Sequence, residues 1–140
     1  MSIFCSEVGM PTDPTLPESP HAKRRQPDDP APVYDVHVFC CTNQRPTTHR
    51  RGCCGSKNAE VLCNYMCRRA MVTAAQQNIR INLSGCLNLC EYGPAMVIYP
   101  EGVWYHYETE ADIEEIMERH VKRGERVERL IIRDFSRMHR

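Results

Sequence analysis

Nine cysteines, at positions 5, 40, 41, 53, 54, 63, 67, 86 and 90, are the residues of this chain best suited to chemistry. Deprotonated, a cysteine is a soft metal ligand or a redox-active nucleophile. Six of the nine sit at strand ends or in loops. Cys40 and Cys41 close an alternating run, Cys53 and Cys54 close a long polar loop, and Cys86 and Cys90 flank Leu87-Asn88-Leu89 just after Gly85. Glycine lets the backbone approach inorganic sulfide, and loop amides can donate hydrogen bonds to its negative charge. A 2Fe–2S centre takes four thiolates, two on each iron. One pair from the first strand and long loop, with another from Gly85–Cys90, meets that demand.

Other chemistries draw on the same thiols. Structural zinc favours about two to four residues between paired cysteines. Cys86 and Cys90 fit that rule, whereas twelve residues separate Cys41 from Cys54. A dithiol oxidoreductase needs Cys-x2-Cys at a helix start, and only vicinal Cys53-Cys54 is offered there. Cys63 and Cys67 lie one helical turn apart among Leu62, Met66 and Ala70, which reads as core packing. His49 reads as a solvated loop histidine, and Cys5 as a residue of the leading segment.

The elements that must position these thiols follow from periodicity. Val36, Val38 and Cys40 alternate with His37, Phe39 and Cys41, which predicts a strand. Thr42–Gly55 is a long polar loop. From about Lys57 to Gln77, Ala59, Leu62, Cys63, Met66, Cys67, Ala70 and Ala74 share a helical face, with Ser56 as N-cap. Ile79, Ile81 and Leu83 form a second strand. Ala95–Tyr99 and Val103–Tyr107 form a hairpin across Pro100-Glu101-Gly102, read as a type I turn with a left-handed glycine. Thr109 and Asp112 make a capping box for a last helix, with Ile113, Ile116, Met117 and Val121 inward and Gly124 at its end. Val127–Ile132 reads as a short edge strand. The order strand, helix, strand, hairpin, helix predicts an α/β (α+β) fold. It is a thioredoxin-like β-α-β-β-β-α domain with helices on both faces of its sheet.

Residues 1–34 hold seven of the ten prolines and few apolar side chains, a composition that reads as a disordered tail. Residues 35–132 read as the domain and 133–140 as a basic C-terminal tail. No run approaches the about 20 apolar residues a bilayer requires, and no signal-peptide pattern follows Met1. The expected location is cytoplasmic. In that reducing setting an odd, large cysteine count favours metal or redox chemistry over disulfides. The 140 residues carry no net formal charge, yet residues 119–140 hold eight basic and three acidic side chains. That run reads as a helix end plus a solvated tail, not as a nucleic-acid site.

Several of these segments resemble the bacterial thioredoxin-like 2Fe–2S ferredoxin family. They are His37-Val38-Phe39 leading to Cys41, Arg45-Pro46, Cys54, Gly85-Cys86-Leu87-Asn88-Leu89-Cys90, Gly93-Pro94, Tyr99–Tyr105 and Glu125–Leu130. The likeness spans roughly residues 35–132. The gap between Cys41 and Cys54 separates it from the related subunit of respiratory NADH dehydrogenases, where that gap is shorter. The resemblance implies a one-electron carrier rather than an enzyme, with a 2Fe–2S cluster held by Cys41, Cys54, Cys86 and Cys90. It implies redox proteins and a second copy of the chain as partners, and neither nucleic acid nor membrane. The hairpin aromatics Trp104 and Tyr105 would serve either the core or that second copy. An iron–sulfur subunit or redox sensor of a larger complex, or a zinc-stabilised interaction module, are the alternative readings.

Overall fold

The computed structural model describes residues 26–137. The expectations for residues 1–25, Cys5 among them, and for residues 138–140 lie outside the described residues. The chain divides into two units, Met1–Ala31 and Pro32–Arg140. In the first, Asp29 N–H donates to Gln26 O (3.1 Å) in a turn closed by Gln26 N–H to Asp29 Oδ2 (2.8 Å).

Four strands form one sheet: β1 (Val36–Cys41), β2 (Ile79–Ser84), β3 (Ala95–Tyr99) and β4 (Val103–His106). Their spatial order is β2-β1-β3-β4, with β1 and β2 parallel and the other pairs antiparallel. A parallel pair needs a crossover, and helix α1 (Ala59–Thr73) supplies it. Helix α2 (Glu110–Glu115) follows the hairpin and continues as a π-helical segment, Ile116–Val121.

Alternation sends Val38, Cys40, Met96, Ile98 and Tyr105 to one face of the sheet. There Leu62, Cys63 and Met66 of α1, with Ile113, Ile116, Met117 and Val121, complete the core. Both helices therefore pack on the same face, not on opposite faces as the element order predicts. They also hold each other, because Glu114 accepts from Tyr65 and pairs with Arg69. The reason lies in the strands. On the other face His37, Arg80 and Asn82 interrupt the aromatic patch of Phe39 and Tyr99, so no continuous apolar surface remains for a helix stripe.

Local details depart from expectation in four places. Ser56 does not cap α1; its hydroxyl donates to the nearer Cys53 O (2.8 Å) inside a short 3-10 turn, and Asn58 precedes the helix at φ +61°. That helix ends at Thr73, short of Gln77, whose N–H turns back to Ala74 O (3.0 Å). The hairpin closes through Gly102 N–H to Ile98 O (2.8 Å), one residue further back than a type I turn beginning at Tyr99. Val127–Ile132 is no strand. Val127 and Leu130 both face the core, a spacing of three that a 3-10 turn at Glu128–Leu130 satisfies, leaving a single bridge between Tyr105 and Ile131. The predicted capping box of α2 is present, with Asp112 N–H on Thr109 Oγ1 and Thr109 N–H on Asp112 Oδ2, both 3.2 Å.

Tyr105 belongs to the core rather than to a surface contact, and Trp104 packs against Leu89, Tyr92, Ala95 and Ile132. The buried Tyr105 hydroxyl accepts from Val127 N–H (3.2 Å), leaving its proton for His120 Nδ1 (2.7 Å). Burial, aided by the Arg126 charge and opposed by Glu101, holds the His120 pKa below the ordinary 6.5. A depressed histidine pKa means that the unfolded chain binds the proton more readily. Its contribution to stability is present above about pH 6.5 and is lost as the pH falls through the folded value. Urea unfolding should show a midpoint that declines between pH 7 and pH 5, with a shallower decline in His120→Gln. An equal slope in the variant would remove this histidine from the account.

Candidate metal centre

The loop-and-strand-end cysteines gather at one end of the sheet. Cys41 ends β1 and Cys54 opens the turn before α1; both are buried, and with Ala59 and the flanking Leu87 they form a small apolar cluster. Their side chains pack against one another. Cys86 and Cys90 form a second pair, with Sγ atoms 3.4 Å apart. Cys90 is buried, whereas Cys86 is exposed. Among the described residues no three His, Cys, Asp or Glu side chains converge on one point as a single metal ion would require. The sulfurs are arranged as two pairs.

The electrostatics of the two pairs differ. Cys41 has a pKa lowered to about 6, first by the hydrogen bond from Cys54, then by the N–H groups of Asn43 and Leu87 and the Arg45 charge, against the opposing cost of burial. Cys54 is pushed the other way, because it holds the proton that its partner receives and because it is buried. Burial also raises Cys90, as does its neighbour Cys86, while Arg45 opposes both. Anionic sulfur is therefore favoured at one member of the inner pair.

Arg45 reaches across the second pair. Its guanidinium donates to Cys90 Sγ and to Cys86 Sγ, each at 3.0 Å, and to Gly52 O (3.1 Å). Asn88 N–H adds a donor to Cys86 Sγ (3.3 Å). Arg51 ties the long loop to the second thiol loop by a two-point pair with Glu91 (2.6 and 3.1 Å) and a bond to Asn88 Oδ1 (3.0 Å). Nothing local in the sequence marks Glu91 and Asn88 as the partners of Arg51 some 40 residues on.

Gly93 supports the inner pair by having no side chain. A Cβ there would overlap Cys54 Sγ, with Cys90 O at 3.5 Å beyond it. Its φ of −73° demands no glycine, so the requirement is one of space. Lys57 Nζ holds Gly93 O (3.1 Å), fixing the backbone against the sulfur.

The remaining thiols point elsewhere. Cys40 faces the helices and lies in the core with Cys63, and Cys67 packs against the same cluster. Cys53 is buried beside the loop backbone, its sulfur accepting from Arg45 N–H (3.3 Å). His49 is exposed, and its Nδ1 accepts from Arg51 N–H (3.3 Å).

A thioredoxin-like sheet that offers paired thiols from its strand-end loops is the framework of a small thiolate-ligand redox domain. No protein-family model matches the chain. Individual relatives do. A 2Fe–2S ferredoxin of Aquifex aeolicus is 40% identical over 97 residues, 69% of this chain and 87% of its own length. A 2Fe–2S ferredoxin of Clostridium pasteurianum is 38% identical over 96 residues, 69% of this chain and 94% of its own. The crystal structure of the wild-type thioredoxin-like 2Fe–2S ferredoxin from Aquifex aeolicus superposes with a TM-score of 0.66 at 36% identity, covering 71% of this chain and 97% of that one. A cysteine-to-serine variant of it gives 0.66 and 36%, covering 99% of its chain. The chain belongs to the thioredoxin-like 2Fe–2S ferredoxin family.

Proposed function

We propose that this chain is a one-electron carrier, not an enzyme, and that Cys41, Cys54, Cys86 and Cys90 hold a 2Fe–2S cluster. The observation that carries the reading is the division of these four thiols into two contacting pairs at one end of the sheet. Two irons sharing sulfide need two ligands each, and two pairs fit that donor set better than a single tetrahedral ion. Bound there, the cluster supplies one-electron transfer at low potential, on the order of −400 mV by comparison with plant-type centres.

The chain's own groups provide the setting. The N–H groups of Asn43 and Leu87 favour the anionic form of Cys41, and Asn88 N–H donates to Cys86 Sγ. Arg45 offsets negative charge on the outer pair, and exposed Cys86 brings one ligand to the surface, where an electron can leave. Residues 35–132 are the part we assign to this work. The thiols need a reducing compartment, which makes the cytoplasm the proposed location. No helix of the described residues is long and apolar enough to cross a membrane. Redox proteins are the proposed partners. A homodimer is proposed from the helix-free face, where Tyr99 is 43% exposed beside Phe39, apolar surface that a second copy would cover.

Anaerobic purification should give a reddish protein with about two irons and two acid-labile sulfides per chain, as such a cluster requires. Dithionite should bleach it and produce a paramagnetic resonance signal, and light scattering should report twice the chain mass. Stoichiometric zinc without sulfide would overturn the proposal.

A further inference from the structure

The surface beside the thiol pairs is cationic. Arg50, Arg51, Lys57 and Arg137 line a cavity of about 470 Å³ that has Cys90 in its wall. Among the described residues lining it, Glu91 is the sole carboxylate, and Arg51 already grips it at two points. Arg50, Lys57 and Arg137 are exposed. Arg137 is held in place, its guanidinium 4.6 Å over the Tyr92 ring and its N–H on Tyr92 Oη (2.9 Å). Arg45, bonded to both outer sulfurs, stands just inside this rim. The charge comes from three separate parts of the chain, the long loop, the short turn before α1 and the C-terminal segment, so it is a built patch on a molecule with no net formal charge.

We infer that this rim is the docking surface for the redox partner, and that the partner presents a cluster of carboxylates. The inference rests on the electron-carrier reading and adds to it the chemistry of the partner. A concentrated positive patch around the exit point raises the local concentration of an anionic partner and orients it with the sulfurs inward, an effect that salt weakens. Exposed Cys86 lies at the same end, so a partner seated on the arginines meets the shortest path to a ligand sulfur.

Rates of oxidation of the reduced, cluster-loaded protein test this. Stopped-flow traces would be taken with tris(oxalato)cobaltate(III), an anion, and hexaamminecobalt(III), a cation. The anion should react faster and lose rate severalfold as ionic strength rises from about 10 to about 300 mM, roughly a fivefold shortening of the Debye length. Arg50→Glu with Arg137→Glu should slow the anion severalfold and speed the cation. Arg50→Gln with Arg137→Gln should do the same more weakly, and Arg68→Glu, exposed on α1, should do neither. Poly-L-glutamate should compete with the anion, and poly-L-lysine should not. A faster cation, or an anion rate indifferent to salt and to the rim variants, overturns the inference. A preparation without the 2Fe–2S spectrum before reduction fails the parent reading instead, so the two failures are distinct.

Discussion

Serine at Cys41, Cys54, Cys86 or Cys90, one at a time, is expected to abolish or distort the visible absorption of the purified chain, while Cys63→Ser leaves it intact. A serine oxygen is a harder donor than thiolate and binds iron poorly in a site shaped for sulfur. The neighbours Cys40 and Cys53 are the obvious substitutes, and the fold argues against both. Alternation along β1 turns Cys40 to the helix face, where it is fully buried against Cys63. Reaching the Cys41 position would move a core thiol to the other side of the sheet. Cys53 lies against the backbone of Arg45, 3.3 Å from its N–H, and would have to drag that loop with it. Cys63→Ser should instead cost stability, about 1–3 kcal/mol for a hydroxyl placed in the core, without touching the spectrum. Retention of a normal spectrum in Cys41→Ser or Cys54→Ser would show that a vicinal thiol had taken over.

Gly93→Ala is the second large effect, and it leaves every thiol in place. The new methyl would occupy the space of Cys54 Sγ, and neither side can yield easily. Gly93 is anchored by Lys57 on its carbonyl and runs directly into buried Pro94 and β3. Cys54 is confined by Cys41 and Ala59. Overpacking of this kind costs about 1–3 kcal/mol, and here the strain falls on a sulfur rather than on an adaptable side chain. Iron content per chain should therefore fall clearly, with all nine cysteines still titratable under denaturing conditions. Iron in Gly93→Ala equal to that of the unaltered chain would show that the contact does not constrain the site.

What the sequence made readable was what short-range periodicity controls. Val36–Cys41 and Ile79–Leu83 alternate strongly enough to mark their strands, and Thr109 with Asp112 marks the start of α2 within four residues. The inward turn of Cys40 followed from the same alternation. Choices among competing local partners were not readable. Ser56 has two uses for its hydroxyl, and the carbonyl of Cys53 wins. Nor did the element order reveal that α1 and α2 share a face, since that depends on how much apolar surface Arg80, Asn82 and His37 leave on the other side. At the thiol end, cysteines and glycines were visible as types. The Arg51–Glu91 tie and the grip of Arg45 on two sulfurs depend on loops meeting across some 40 residues, which no window of sequence contains.

The apolar centre formed by Met66, Met96, Ile98, Ile113 and Ile116 is assembled wholly from helices and strands, without the loops that bring the thiols together. Scaffold and socket are thus built from different residues, so a change in the thiol loops bears on what the end of the sheet can hold before it bears on the packing beneath.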